Sequence, residues 1–277
     1  MIAEPDGQGS YPPEERERRV GFFTDTSVCI GCKACEVACK EWNLLPEDGL
    51  VWTGHSYDNT GELNANTWRH VAFIEQDKPI AVQDAGVGHD FRWLMSSDVC
   101  KHCTHAGCLD VCPTGAIFRT EFGTVVIQDD VCNGCGYCVT ACPFGVIDRR
   151  ESDGGMHKCT LCYDRLEDGL EPACAKACPT ESIQFGPLDE LLARAHGRVD
   201  ELHEVGVDDA RLYLADGDDG VGGAGAFFLL LDEPEVYGLP PDPVVPTRDL
   251  GEMWGAAFAA GAALVAGVAA AFIGGRA

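Results

Sequence analysis

The stretch that decides the fold is CIGCKACEVAC at residues 29–39, whose cysteines follow a C-x2-C-x2-C-x3-C spacing. The same spacing recurs at residues 132–142, and looser versions occupy residues 100–112 and 159–178. The four runs are Cys29, Cys32, Cys35, Cys39; Cys100, Cys103, Cys108, Cys112; Cys132, Cys135, Cys138, Cys142; and Cys159, Cys162, Cys174, Cys178. Together they use all 16 cysteines, so the cysteines form one repeated system.

The spacing, more than the number of cysteines, decides what these runs bind. A disulfide framework does not require four copies of one run. Zinc sites normally use two separated C-x2-C pairs, and a third cysteine two residues further on has no obvious use in a tetrahedral site. Three thiolates two residues apart can wrap one [4Fe-4S] cluster, with small residues such as Gly31 and Gly134 letting the backbone run close to the sulfurs. The spacing therefore predicts iron-sulfur clusters, with a zinc-bound scaffold as the alternative class.

The fourth cysteine of each run is predicted to serve a different cluster from the first three. In two-cluster ferredoxins this thiolate crosses to the neighbouring cluster. If Cys112 and Cys142 cross between the two middle clusters, the outer runs are left to complete each other. The four predicted ligand sets are Cys29, Cys32, Cys35, Cys178; Cys39, Cys159, Cys162, Cys174; Cys100, Cys103, Cys108, Cys142; and Cys112, Cys132, Cys135, Cys138.

Other groups near the cysteines are weaker candidates. Five lysines lie beside ligand cysteines and are candidates for tuning the cluster potentials by partly neutralising anionic clusters; solvated side chains are the alternative. His102 and His105 could serve as ligands only if a cysteine were spare. The five lysines are Lys33, Lys40, Lys101, Lys158 and Lys176.

The formal net charge of −25 argues against nucleic acid or an anionic membrane surface as the main partner. The acidic residues are scattered, which is typical of a solvated acidic surface. The chain contains no G-x-S-x-G motif and no P-loop, so nothing in it indicates a catalytic site of its own.

The segments between the cysteine runs predict an α+β fold. Residues 68–75, 80–83 and 91–94 have the character of short inserted strands, and residues 115–130 predict two strands turning at Gly123. Apolar residues at helical spacing predict a covering helix over 187–205, and the run AFFLLL predicts a buried strand over 226–231.

Residues 254–273 contain no charge over 20 residues. A helix of that length reaches about 30 Å at about 1.5 Å per residue, the thickness of a bilayer core. The segment is therefore a candidate membrane span, and its Ala-rich composition suits close packing against partner helices. A buried soluble helix or a partner-docking helix is the alternative.

Several segments closely resemble the iron-sulfur β subunit of membrane-bound formate dehydrogenases. They are CIGCKACEVACKEWN (29–43), CNGCGYCVTACPFG (132–145), KCTLCYDRLEDGLEPACAKACPT (158–180), GVGG (220–223), EVYGLPPDP (235–243) and the C-terminal apolar segment. More widely, the chain is similar to the four-cluster subunits of molybdopterin oxidoreductases, which include the dimethyl sulfoxide and polysulfide reductases.

The resemblance implies four [4Fe-4S] clusters with the crossed ligation given above. It also implies two partners, a catalytic α subunit that carries molybdenum or tungsten with a pterin, and a membrane cytochrome b γ subunit that reduces quinone. Well-studied members of this family lack an export signal and cross the membrane with a signal-bearing catalytic subunit. The resemblance therefore implies a single-pass protein of the cell membrane with its clusters on the periplasmic side, the cytoplasmic side being the alternative.

Together these observations predict tandem bacterial two-[4Fe-4S] ferredoxin-like modules with inserted strands and a C-terminal single transmembrane helix. The predicted units are a flexible polar arm (1–20), a four-cluster domain (21–247) and a C-terminal anchor (248–277). Within the domain, 99–148 forms the inner module, and 21–45 with 156–186 forms the outer module. The predicted function is non-catalytic electron relay from a formate-oxidising centre to the membrane. The same relay for a hydrogenase or a sulfur-compound reductase of the dimethyl sulfoxide type is the nearer alternative.

Overall fold

The protein combines short helices with short strand pairs in a computed structural model that describes residues 19–49, 52, 54, 57–76, 92–217 and 219–274. The predicted strand at 80–83 and residues 1–18 of the predicted arm lie outside the described residues. Residue Val20, at the end of the predicted arm, is the first residue of a strand. The neighbouring Arg19 donates hydrogen bonds to Thr104 Oγ1 (2.7 Å) and His102 O (3.0 Å), so the folded part begins before residue 21.

Helices and strands are interspersed along the chain. In order they are β1 (Val20–Asp25), α1 (Ala34–Trp42), β2 (Arg69–Gln76), β3 (Arg92–Val99), α2 (Gly107–Asp110), β4 (Ile117–Arg119), β5 (Val125–Ile127), α3 (Tyr137–Ala141), β6 (Asp148–Arg149), β7 (Met156–His157), α4 (Tyr163–Glu167), α5 (Ala173–Lys176), β8 (Ile183–Pro187), α6 (Leu188–Glu204), β9 (Arg211–Tyr213), β10 (Ala226–Leu230) and α7 (Leu250–Gly274). Short 3-10 turns lie at Thr26–Val28 and Pro234–Tyr237.

The largest sheet joins the two ends of the cluster-bearing part of the chain. Its strand order is β8-β1-β10-β9, with β1 parallel to β10 and antiparallel to β8. Phe22 pairs with Ala226 across the parallel ladder. Every residue of β10 is buried, which explains its continuous apolar run. The prediction of a buried strand at 226–231 is confirmed with one residue fewer.

Helix α6 covers this sheet. Its buried residues are Leu191, Ala195 and Leu202, which lie on one face at helical spacing. Acidic Asp189 and Glu190 occupy the first turn, where the helix dipole favours negative charge. The covering helix predicted over 187–205 is therefore confirmed.

The strands β4 and β5 form the hairpin predicted between the two middle cysteine runs. The chain turns at Gly123, which has a φ of 76° and donates its N–H to Thr120 O at 2.9 Å. This left-handed conformation favours glycine at the turn.

The long insert after the first cysteine run contributes the antiparallel pair β2 and β3, with Arg69 opposite Val99 and Gln76 opposite Arg92. Strand β3 runs to the residue before Cys100 and is longer than the predicted segment 91–94. The polar residues Ser96 and Ser97 hid this continuation in the sequence, but both are buried against other protein groups. The insert therefore leads directly into the second cysteine run.

Helix α7 stands apart from the rest of the protein. Its span Leu250–Phe272 is long and apolar enough to cross a membrane, and none of it is buried against the protein. Trp254 and Phe258 form an aromatic pair near its beginning, with ring centroids 6.1 Å apart. A fully exposed helix of this composition does not cover the core, which removes the buried soluble helix as an explanation.

Candidate metal centres

The four cysteine runs share one backbone feature. The residue two positions after the first cysteine of each run has a positive φ: Gly31 (63°), His102 (45°), Gly134 (69°) and Leu161 (58°). A left-handed residue in such a loop turns successive backbone N–H groups towards one side, which makes the concave, anion-binding nest found at many iron-sulfur sites. The runs are therefore the same kind of loop, including the two whose cysteine spacing is looser.

Two of these positions require glycine for space as well as for conformation. A Cβ on Gly31 would lie 2.6 Å from Phe73 Cε1 and 2.7 Å from Met95 Sδ. A Cβ on Gly134 would lie 2.2 Å from Gly154 O. At Gly134 the obstacle is backbone, which cannot turn away as a side chain can.

The outer cysteine runs meet in two groups. The first group is Cys29, Cys32, Cys35 and Cys178, which line one cavity. In the second group the thiol of Cys39 is an electrostatic neighbour of Cys159, Cys174 and Cys162. Each group thus contains three cysteines of one run and the fourth cysteine of another.

The inner cysteine runs form two further groups in the same way. In the third group the thiol of Cys103 is an electrostatic neighbour of Cys100, Cys108 and Cys142. In the fourth group the thiol of Cys138 has the neighbours Cys132, Cys135 and Cys112.

The four groups lie in a series. The thiol pairs that join one group to the next are Cys35 with Cys174, Cys159 with Cys100, and Cys108 with Cys138. Cys32 in the first group and Cys135 in the fourth are exposed, whereas Cys100 and Cys159 at the middle of the series are buried. The first and fourth groups therefore each include an exposed thiol, whereas the thiols that link the second group to the third are buried.

Burial sets the protonation of the thiols when no metal is bound. It raises the pKa of Cys35 to about 11, although the positive charge of Arg69 acts in the opposite direction. It raises the pKa of Cys108 to about 12, opposed by the charge of Lys158. Because iron binds the thiolate form, these thiols release protons when a cluster is bound.

Hydrogen-bond donors also point at the sulfur atoms. Leu161 N donates to Cys159 Sγ at 3.2 Å and Met156 N donates to Cys132 Sγ at 3.5 Å. Cys112 is the partly exposed exception: burial acts to raise its pKa, but hydrogen bonds from the backbone N–H groups of Ile117 and Thr114 and from the Thr114 hydroxyl outweigh it and lower the pKa. Such donors stabilise thiolates and are among the groups that tune iron-sulfur clusters. The donor sets therefore fit [4Fe-4S] clusters.

A cluster differs from a single ion in how its ligands are spaced. Each iron lies at its own corner of the cube and takes one thiolate, so the four thiols need not converge on a point. Within the described residues, no group of three or more His, Cys, Asp or Glu side chains is placed to hold a single metal ion.

The five candidate lysines have different surroundings. Lys101 is fully buried, and its Nζ donates to Val99 O at 2.8 Å and makes an ion pair with Asp98. Lys158 is 2% exposed and its Nζ donates to Cys159 O at 3.0 Å. The other three make ion pairs on more open parts of the surface: Lys33 with Asp58 (3.3 Å), Lys40 with Asp48 (2.6 Å) and Lys176 with Glu171 (3.3 Å).

The histidines near the second run are engaged with the protein. His102 is buried, and its Nδ1 accepts a hydrogen bond from Val125 N at 3.1 Å. His105 packs against Gly222, where a Cβ would lie 2.3 Å from the imidazole ring.

Sequence reasoning missed Arg69 and Ser97. Arg69 is 1% exposed, and its NH2 donates to Cys174 Sγ at 3.3 Å. Ser97 Oγ lies 3.3 Å from Cys35 Sγ. Strand alternation could have flagged Arg69, because it shares a face of β2 with the buried Val71. Nothing in the sequence marked Ser97.

Comparison with known proteins identifies the kind of cluster these loops bind. Two family models, each described as a 4Fe-4S dicluster domain, match residues 91–188 and 28–116. The chain is similar to the formate dehydrogenase iron-sulfur subunit of Haemophilus influenzae, with 41% identity over 239 residues that cover 84% of this chain and 73% of the relative. It is similar to the nitrate-inducible formate dehydrogenase iron-sulfur subunit of Escherichia coli, with 41% identity over 82% of this chain and 74% of the relative. It is also similar to the B subunit of the anaerobic dimethyl sulfoxide reductase of Escherichia coli, with 40% identity over 64% of this chain and 77% of the relative.

The repeated loops, the grouped thiols and the two dicluster matches define a ferredoxin-like iron-sulfur protein that binds [4Fe-4S] clusters. Within that class, the chain belongs to the family of formate dehydrogenase iron-sulfur subunits.

Proposed function

We propose that this chain is the electron-transfer subunit of a membrane-bound formate dehydrogenase and performs no catalysis of its own. The observation that carries the proposal is the series of four thiol groups, in which each group has a thiol beside the next. The relatives that share this chain's sequence over most of its length are formate dehydrogenase iron-sulfur subunits. A series of redox centres with exposed ends is the arrangement that carries electrons from one protein surface to another.

The proposal assigns one [4Fe-4S] cluster to each of the four groups. The ligand sets are Cys29, Cys32, Cys35, Cys178; Cys39, Cys159, Cys162, Cys174; Cys100, Cys103, Cys108, Cys142; and Cys112, Cys132, Cys135, Cys138. Support comes from the electrostatic neighbours of Cys39, Cys103 and Cys138, each of which includes a cysteine from another run.

Each bound cluster supplies a one-electron couple. The chain holds the clusters in order, excludes water from the middle of the series, and sets how readily each centre is reduced. The exposed Cys32 and Cys135 mark the two ends at which partner proteins exchange electrons with the series. Lys158 places buried positive charge near the thiols, which favours the reduced and more negative state, whereas the charge of the buried Lys101 is partly balanced by Asp98.

The proposed organisation follows from this assignment. The inner module, 99–148, carries the third and fourth groups. The outer module, 21–45 with 156–186, carries the first and second. Residues 248–277 form the anchor, since α7 is exposed along its length and long enough to cross a membrane.

The proposed partners are a molybdenum or tungsten pterin catalytic α subunit and a cytochrome b γ subunit in the membrane. The chain would lie in the cell membrane with its cluster domain on the periplasmic side. Relatives named as subunits of formate dehydrogenase and of dimethyl sulfoxide reductase support a multisubunit complex.

The test is to isolate the intact complex anaerobically and assay it with formate. We expect the clusters of this chain to contribute about 16 iron atoms and as much acid-labile sulfide per complex, in addition to the haem iron of the cytochrome b subunit. We also expect formate-dependent reduction of quinone. In a complex that carries Cys159→Ala and Cys162→Ala, formate should still reduce a dye at the catalytic subunit, but quinone reduction should be lost. Zinc in place of iron and sulfide would contradict the proposal.

A relay for a sulfur-compound reductase is the second candidate, because the chain is also 40% identical to the B subunit of a dimethyl sulfoxide reductase. A purified complex that fails to oxidise formate but reduces dimethyl sulfoxide would favour this candidate over the first.

A further inference from the structure

Arg69 lies between the first and second thiol groups. Its side chain is almost completely buried, and its guanidinium stacks over the Phe22 ring at 4.8 Å. Its positive charge acts on Cys174, Cys35, Cys159 and Cys39, which belong to both of these groups. Among the described residues, no other arginine donates a hydrogen bond to a cysteine sulfur.

A hydrogen-bonded path through Arg69 joins the two groups. NH2 of Arg69 donates to Cys174 Sγ at 3.3 Å, and NH1 donates to Ser97 O at 3.1 Å and Ser97 Oγ at 3.3 Å. Ser97 Oγ in turn lies 3.3 Å from Cys35 Sγ. Cys174 and Cys35 are the two thiols through which the groups adjoin. The path therefore runs from a ligand of one cluster to a ligand of the next.

Within the described part of the chain, no carboxylate balances the charge of Arg69. Its hydrogen-bond partners there are Ser97 and Cys174, and its Nε has none. A buried, uncompensated guanidinium would cost several kcal/mol. The remaining source of negative charge is the thiolates and the clusters they bind. The buried positive charge of Arg69 is therefore compensated when the cysteines are deprotonated and hold their clusters.

We propose that Arg69 is a tuning residue shared by the two outer clusters, which raises the reduction potential of both, and that Ser97 completes its link to Cys35. This inference rests on the proposed function. Each couple takes up one electron and no bond forms or breaks. Because reduction adds negative charge beside the guanidinium, Arg69 stabilises the reduced state of each cluster.

The test is Arg69→Gln in the intact complex, with all four midpoint potentials resolved by redox titration and electron paramagnetic resonance. We expect two of the four potentials to fall and two to stay. Each of the two potentials should fall by at least about 59 mV, which for a one-electron couple is a tenfold change in the ratio of oxidised to reduced cluster at a fixed solution potential. Arg69→Lys keeps the positive charge but cannot donate to Ser97 and Cys174 through two guanidinium nitrogens. The potentials should therefore shift less in this variant than in Arg69→Gln.

The matched control is Arg198→Gln. Arg198 is partly exposed, pairs with Asp25 (3.1 Å) and Glu201 (3.0 Å), and donates no hydrogen bond to a cysteine sulfur within the described residues. All four potentials should remain at their wild-type values in this variant. A shift in Arg198→Gln equal to that in Arg69→Gln would overturn the inference, because it would show a general effect of lost charge.

Other outcomes of Arg69→Gln are equally decisive. Four unchanged potentials, a fall in only one, or an equal fall in all four would each overturn the shared role. If the variant does not retain its clusters, Ser97→Ala decides, since it removes only the hydroxyl beside Cys35. One potential should then fall, and no change would overturn the link. A wild-type protein without clusters would instead defeat the proposed function, so the two failures are distinguishable.

Discussion

The thiol of Cys159 is an electrostatic neighbour of the thiol of Cys100, although the two cysteines belong to different runs and different thiol groups. Both are buried, so the junction between the second and third thiol groups is inside the protein. Charges act there with less screening than at the surface. Side chains around this junction therefore have more influence on electron flow than side chains at either end of the series.

Lys158 is next to this junction, and we predict that Lys158→Met lowers the reduction potential of the third-group cluster. Its buried charge acts on Cys108, a thiol of that group. Methionine preserves most of the volume while removing the charge. We expect at least a tenfold change in the ratio of oxidised to reduced cluster, about 59 mV, measured by redox titration and electron paramagnetic resonance.

Lys176→Met is the control, because the Lys176 side chain is 71% exposed and pairs with Glu171 on the surface. Solvent screens a charge in such a position, so its removal should change the potentials by less than half as much. Equal shifts in the two variants would contradict a role for burial.

Crossed ligation can be tested through additivity. If Cys29 and Cys178 hold one cluster, the double variant C29A/C178A should lose no more iron than C29A alone. If Cys29 and Cys39 hold different clusters, C29A/C39A should lose about twice as much, or about eight of 16 irons. Iron and sulfide analysis of the anaerobic protein measures both. The reverse pattern would mean that each run binds its own cluster.

Gly134→Ala should prevent binding of the fourth-group cluster. The substitution combines a strained left-handed φ with a Cβ 2.2 Å from Gly154 O, and together these cost about 2–5 kcal/mol. We expect a lower melting temperature and a loss of about four irons per chain.

Gly136→Ala provides the comparison in the same loop. Gly136 has a φ of 80°, but a Cβ there would meet nothing within 4 Å. This variant should show only the cost of the left-handed conformation, about 1–2 kcal/mol, and retain its iron. Equal iron loss in both variants would indicate that backbone strain at a left-handed φ, and not the steric clash with Gly154 O, prevents cluster binding.

Truncation after residue 249 should release the cluster domain from membranes without loss of iron. The membrane-length span of helix α7 is not buried against the domain, so its removal exposes no core residues. The measurement is fractionation with lipid vesicles, comparing full-length and truncated chains expressed without partner subunits. If the full-length chain also stayed out of the vesicles, α7 would be a docking helix for a partner and not an anchor.

The ligand loops were predictable because the constraint on them is local. Spacing of two residues fixes how thiols can face one cluster, and the hairpin at Gly123 and the covering helix α6 follow from equally short patterns. The potential-setting groups were not predictable in the same way. Lys158 and Lys176 both lie close to ligand cysteines in the sequence, yet one is buried and the other exposed.

Arg69 shows why the rest of the site needed the structure. It comes from the insert, far from any cysteine run in sequence, and only the pairing of β2 with β3 brings it to Ser97. The alternation of residues in β2 predicts that Arg69 lies on the buried face, but it does not predict which groups Arg69 contacts. Long-range packing supplies that information, and a single sequence does not contain it in readable form.

The parallel pairing of β1 with β10 has a consequence for synthesis. Phe22 and its partner Ala226 are separated by roughly 200 residues, which take about 10–40 s to translate at 5–20 residues per second. Until then β1 lacks its parallel neighbour and can pair only with β8, which is synthesised about 40 residues earlier. Under the proposed ligation, Cys29 likewise waits for Cys178 within the same interval. Under the proposed assignment, the ligands of the two inner clusters are close together in the chain, so this part can fold first and act as the template on which the outer part closes.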